Sequence, residues 1–224
     1  MTTTKTSSFA TFGRGARLAT LALAVALAAC GKTGDSTPAA QSAATGPQTG
    51  GTLVYLEQQA HNALYPPNGG FYPNGGILNQ ITDKLTYQNP KTLEIEPWIA
   101  ESWTINDSAT EYTFKLRPGV TFSDGSPLDA AAVVKNFDTF GLGNPALKQP
   151  VSEVINNYER GEVVDPLTVK FYFKKPSPGF LQGTSVIGSG LVSLATLARP
   201  FEELGDATRI VGSCLLYTSD AADE

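Results

Sequence analysis

A chain of 224 residues with 16 basic and 21 acidic side chains carries a formal net charge of −5. Charged residues make up 17% and are spread singly, with no Lys/Arg run, which argues against nucleic acid as a partner. His61 is the only histidine, no G-x-S-x-G nucleophile elbow is present and no clustered zinc ligands occur, so no catalytic set, metal or cofactor is expected.

In chain order, residues 1–30 form a targeting segment. Lys5, Arg14 and Arg17 make a basic start without an acidic residue, and 18–29 are small and apolar, too short to span a bilayer. The segment ends in Leu27-Ala28-Ala29-Cys30-Gly31, the pattern of a bacterial lipobox. Lipidation needs a thiol there, because a diacylglyceryl group is attached before cleavage, and Cys30 is the expected site. The plainer alternative is an ordinary signal peptide with an incidental cysteine. Residues 31–50 are rich in Ala, Thr, Ser, Gly, Pro and Gln, with too little apolar bulk to fold, and are expected to be a disordered tether. The folded part is expected over 51–213.

Thr52 to Leu56 reads as a short strand, followed by a polar segment ending at Pro66-Pro67. Asn68 to Gly76 reads as a Gly- and Asn-rich loop carrying Phe71 and Tyr72. Ile77, Leu78, Ile81 and Leu85 recur at helical spacing. Leu93 and Ile95 alternate with Glu94 and Glu96 in a short strand closed by Pro97. Tyr112, Phe114 and Leu116 alternate with Thr113, Lys115 and Arg117, a half-buried strand. Pro118-Gly119 turns the chain, Val120 and Phe122 suggest a second short strand, and Ser123 to Pro127 a second turn in which Asp124 is a turn-former. Asp129 caps a helix with Val133, Val134, Phe137 and Phe140 on one face. Gly141 to Pro150 reads as a loop, and Val151 to Tyr158 fits helix or strand equally. Val163-Val164 is a strand, Asp165-Pro166 a turn, and Leu167 to Lys174 a strand with Leu167, Val169, Phe171 and Phe173 facing one way. Phe180 to Gln182, Leu191 to Arg199 and Phe201 to Leu204 read as short helices.

The run Trp98-Ile99-Ala100-Glu101-Ser102-Trp103, followed by Tyr112-Thr113-Phe114-Lys115-Leu116-Arg117-Pro118-Gly119-Val120-Thr121-Phe122-Ser123-Asp124-Gly125-Ser126-Pro127-Leu128, resembles the signature of the extracellular solute-binding proteins of family 5, the peptide, nickel and oligopeptide receptors of ABC importers. Departures are Ile99 for Leu, Tyr112 for Trp, Asp129 where Thr is usual, and Ala131-Ala132 where an acidic pair is common. The resemblance covers roughly residues 50–213. It implies a mixed α/β lobe, the N-terminal part of a two-lobe periplasmic-binding-protein-like fold that is incomplete here, closing on ligand by hinge motion. The implied function is an extracytoplasmic, lipid-anchored and monomeric binding protein. It would capture a peptide or related small solute for ABC permease subunits, on the periplasmic side or the outer face of the cell membrane. A secreted lipoprotein enzyme and a surface lipoprotein without transport function are the alternatives.

In the family the segment after the first strand faces the ligand cleft, which singles out Ala60, His61 and Asn62; a plain surface histidine is an equal reading of His61. Phe71 and Tyr72 are further candidates for ligand contact. Trp98 and Trp103 lie inside the structural signature and are expected to pack. The last eleven residues, Cys214 to Glu224, have no apolar period and match the translated read-through of a transposon-based sequencing adapter in one frame. Ile210-Val211-Gly212-Ser213 opens the family's V-G-[ST]-G-P motif and Cys214-Leu215 replaces its Gly-Pro, so 214–224 is read as an artefactual tail.

Overall fold

The computed structural model of the chain describes Val54 and residues 56–213. The leader with Cys30, the tether and the 214–224 tail lie outside them.

Four strands form an antiparallel sheet in the order β3-β4-β6-β5: β3 (Ala100–Ile105), β4 (Glu111–Leu116), β5 (Tyr158–Asp165) and β6 (Thr168–Phe173). The two strands with the clearest period-2 alternation, β4 and β6, are its centre and pair directly, with Tyr112 opposite Phe171 and Phe114 opposite Val169. Tyr112, Phe114, Leu116, Val169, Phe171 and Phe173 are all buried. Helix α2 (Ala130–Leu142) packs against β5 and β6, and the short helix α3 (Phe180–Gly183) adds Phe180 to the aromatic core. Rings of Phe114, Phe137, Phe173 and Phe180 surround Phe171 or one another at centroid distances of 4.5–6.3 Å, in tilted and edge-on pairs.

Helix α2 starts where its cap dictates, with the Asp129 carboxylate accepting the Ala132 N–H at 2.9 Å. Asp138 on its flank accepts from Tyr158 Oη at 2.8 Å and from the Gly161 N–H at 3.0 Å. The strand and α2 approach closely here, since a Cβ at Gly161 would lie 2.8 Å from Val134 Cγ1 and 2.9 Å from the Tyr158 hydroxyl. Burial, and then the Asp138 carboxylate, push the Tyr158 phenol well above its ordinary range. The most enclosed polar side chain on α2 is Asn136. Its carboxamide accepts from the Val192 N–H at 3.0 Å and donates to the Val192 carbonyl at 2.8 Å and the Ala132 carbonyl at 2.9 Å. It therefore pairs with Val192 as a neighbouring strand would.

Before the sheet stand α1 (Tyr72–Ile81) and a two-stranded hairpin of β1 (Thr86–Gln88) and β2 (Ile95–Pro97). The segment after α3 is mostly tight helical turns, with α4 (Leu194–Leu197) capped by Ser193. Gln149 anchors this segment by donating to the carbonyls of Leu197 and Arg199 at 2.9 and 2.8 Å.

Several sequence expectations are corrected. α1 begins at Tyr72, inside the expected loop, and ends at Ile81, before Leu85. Pro73 suits its first turn, Asn74 is held by hydrogen bonds, and Gly75 packs on the Gly69 backbone, so this end needs no apolar periodicity. The Val120–Phe122 strand is reduced to a single bridge, Thr121 with Pro127, because the turn at Ser123–Ser126 folds back at once. In that turn burial pushes the Asp124 carboxyl up, but hydrogen bonds from Ser126 Oγ and N outweigh it and hold the carboxyl below its usual range. The expected 191–199 helix shrinks to α4, since Val192 bridges Gly212 instead. The expected strand Thr52–Leu56 lies largely outside the described residues; of it, Val54 and Leu56 are described and exposed. Strand β1 was not expected. Trp98 is 47% exposed and pairs with Tyr87 at a ring distance of 6.0 Å, so it is not a core residue, whereas Trp103 packs against Phe114.

Tyr65 is fully buried against Phe140 and Phe201, yet its hydroxyl has no hydrogen-bond partner among the described residues. Burial accordingly raises its pKa far above the usual phenol range. Removing an unpaired buried hydroxyl relieves a desolvation cost of about 1–3 kcal/mol. Tyr65→Phe is therefore expected to leave the thermal midpoint unchanged or raise it; a clear fall in circular-dichroism melts would show that the hydroxyl is bonded.

Candidate functional site

The segment 60–65 is placed by its contacts with the turn at 204–205. The Leu64 N–H donates to the Leu204 carbonyl at 2.6 Å. His61 Nε2 lies 3.0 Å from the Gly205 carbonyl; since a carbonyl only accepts, Nε2 carries the proton in this contact. The centre of the arrangement is Asn74, buried in the first turn of α1. Its Oδ1 accepts from the Asn62 N–H at 3.0 Å, and its Nδ2 donates to Asn62 Oδ1 at 2.9 Å and to the Asn68 carbonyl at 3.1 Å. One side chain thus joins the 60–62 segment, the tight turn at Pro66–Asn68 and the amino end of α1. Phe71 (41% exposed) and Tyr72 (70% exposed) stand at that end.

Beside it lies a hollow of about 370 Å³, lined by Glu57, Tyr72, Asn79 and the backbones of Gly69, Gly70, Gly75 and Gly76. Of the five residues singled out in the sequence, Tyr72 lines this hollow. Asn62 is tied to its frame through Asn74, Phe71 flanks it, and Ala60 and His61 are exposed on the adjoining segment. Sequence reasoning missed Asn74, Glu57 and Asn79. The signal for them was the pairing Gly69-Gly70 and Gly75-Gly76 around Asn74, since missing side chains permit close approach to backbone. Its walls bring together a carboxylate, a carboxamide whose Oδ1 accepts from Lys84 Nζ at 2.9 Å, a phenol and glycine backbone, a mixed apolar and hydrogen-bonding surface. Among the described residues no three or more His, Cys, Asp or Glu are grouped as metal ligands, and no helix is long and apolar enough to cross a membrane.

Comparison with known proteins gives the wider frame. The family model "Bacterial extracellular solute-binding proteins, family 5 Middle" matches residues 94–212, from the start of the β2 arm to the bridge at Gly212. The chain is 32% identical over 138 residues to the glutathione-binding protein GsiB of Escherichia coli K12, a match covering 60% of this chain and 27% of that protein. NikA of Brucella suis, solved in complex with Fe(III)-EDTA, is 31% identical with a TM-score of 0.52, covering 68% of this chain and 31% of NikA. The ABC transporter-associated periplasmic binding protein DppA of Helicobacter pylori, solved with the peptide STSA, shares the fold at a TM-score of 0.57 and 21% identity, over 69% of this chain and 34% of that one. The chain therefore spans about a quarter to a third of the length of these relatives, and its mixed α/β lobe is part of a periplasmic-binding-protein fold. The hollow at α1 lies before the residues that the family model matches. On the 94–212 match, the chain belongs to the bacterial extracellular solute-binding proteins of family 5.

Proposed function

We propose that the chain is the N-terminal portion of an extracytoplasmic substrate-binding lipoprotein of an ABC importer, capturing a peptide or related small solute and delivering it to permease subunits. The observation that carries this reading is the family match over the sheet and α2, with the hollow at α1 as the candidate contact surface. In this reading residues 1–30 are the signal peptide, 31–50 the tether and 51–213 the ligand-facing lobe, while 214–224 add nothing. Ala60, His61, Asn62, Phe71 and Tyr72 border the ligand. The protein acts as a monomer, does no chemistry on its ligand and is held at the membrane by lipid on Cys30.

The ligand-facing reading is tested in the full-length protein with glutathione as the probe: Tyr72→Ala is expected to weaken binding about tenfold while leaving the thermal midpoint within a few degrees, because Tyr72 is mostly exposed. Unchanged affinity in a protein that binds glutathione would remove Tyr72 from the site. Anchoring is tested separately. One acyl chain holds a protein at a membrane only weakly and two hold it stably, so Cys30→Ser is expected to move the protein from the membrane to the soluble fraction. A Ser variant that fractionates with membranes as the parent does would refute lipidation at Cys30.

A further inference from the structure

Just beyond the carboxyl end of α1, Asp83 joins three other stretches of chain. Its Oδ1 accepts from Trp98 Nε1 at 2.9 Å and its Oδ2 from Ser213 Oγ at 3.0 Å. Its own N–H faces Ser213 Oγ at 3.4 Å, and its carbonyl accepts from the Leu191 N–H at 2.8 Å. The neighbouring chain is pressed against the same helix end, since a Cβ on Gly212 would lie 1.9 Å from the Ile81 carbonyl oxygen. Gly212 in turn accepts from the Ser123 N–H at 2.8 Å, and Val211 from the Ser193 N–H at 2.8 Å.

Helix α1 is therefore held at both ends by a polar side chain. Asn74 fixes the amino end, which carries Tyr72 and the hollow. Asp83 fixes the carboxyl end, against Trp98 on one side and Ser213 on the other. A helix of ten residues is about 15 Å long, so a small tilt released at one end displaces the other by a comparable amount. Trp98 is half exposed and contacts Tyr87, and its indole N–H adds to that packing a directed bond that fixes the Asp83 side chain.

We propose that Asp83 is a positioning residue for the candidate ligand site: it ties α1 to Trp98 and Ser213 and so sets how the other end of the helix presents Tyr72. The link to ligand rests on the reading of the hollow as ligand-facing; the tie itself does not. The test compares parent, Asp83→Ala and Asp83→Asn in the full chain by amide hydrogen exchange. Asn retains an acceptor for the Trp98 indole and can donate to Ser213 Oγ, so it should preserve the tie. Asp83→Ala is expected to speed exchange by roughly tenfold at Thr82 and along α1 to Asn74 and Gly75, with the amides of Phe114 and Phe171 unchanged and Asp83→Asn close to the parent. Equal loosening of the sheet, no change in α1, or an Asn variant as loose as Ala would overturn the proposal. Titration of glutathione into the full-length protein separates the two claims. Weaker binding by Asp83→Ala supports both; unchanged binding beside faster α1 exchange upholds the tie and removes the hollow from the ligand site.

Discussion

Phe171→Asp is expected to abolish folding. Phe171 is fully buried on the central strand β6, 4.5 Å in ring distance from Phe137, 5.7 Å from Phe180 and 5.9 Å from Phe114. Losing the ring costs about 3–5 kcal/mol in cavity and contact, and an unpaired carboxylate in the same space adds several more. Together these approach or exceed the roughly 5–15 kcal/mol that holds a domain folded. The control is one residue on. Tyr172 points to the other face, with the Arg160 guanidinium 3.7 Å above its ring and Lys170 at 4.9 Å. Tyr172→Asp places the new carboxylate beside two cations, at the loss of the bond from the Tyr172 hydroxyl to Glu162, and is expected to fold, with a loss of about 1–2 kcal/mol. Soluble yield and near-ultraviolet circular dichroism distinguish the two variants. Folded, cooperative Phe171→Asp protein would contradict the assignment of this face to the core.

The second large effect is expected at Asn136. Replacing it with Leu keeps the volume similar and removes the bonds to Val192, leaving a buried N–H and a buried carbonyl without partners. At about 1–3 kcal/mol for each of the two stranded groups, the loss is about 2–6 kcal/mol. In a domain of this size that lowers the thermal midpoint by roughly 4–24 °C. A midpoint within 2 °C of the parent would mean that Val192 finds other partners and that Asn136 is not the clamp.

The parts of the fold legible in sequence were those written in alternating apolar character. β4, β6 and α2 are long enough for period 2 or period 3.6 to repeat, and Asp129 announces the start of α2 by its own chemistry. The unread parts are held by polar groups and close backbone approaches. The first turn of α1 rests on Asn74 and Gly75, and the 192–212 crossing rests on Asn136 and Gly212; none of these leaves a hydrophobic period to find. β1 is three residues long and pairs only within its hairpin, too short for a pattern. Trp98 looked like a packing residue because its neighbours in the signature are; its indole instead serves Asp83 at the surface. At the candidate site, the sequence singled out Phe71 and Tyr72 by aromatic character in a Gly-rich run. Asn74 escaped notice because its partners, Asn62 and Asn68, lie 12 and 6 residues away and meet only in the folded chain.

In the proposed reading, this lobe captures solute as part of a longer two-lobe protein. Family resemblance implies a cleft between lobes, in which closure removes water from the polar contacts that orient the ligand. The direct measurement is calorimetric titration of the full-length protein and of residues 51–213, each with glutathione, followed by a panel of di- and oligopeptides and nickel chelates. The account predicts that the full-length protein binds at least one of these with a dissociation constant of about 1 μM or tighter, near −8 kcal/mol, and that residues 51–213 give no measurable heat with the same ligand. Equal affinity in the shorter piece would show that one lobe holds the whole site, and a folded full-length protein that binds nothing in the panel would contradict the capture of such solutes.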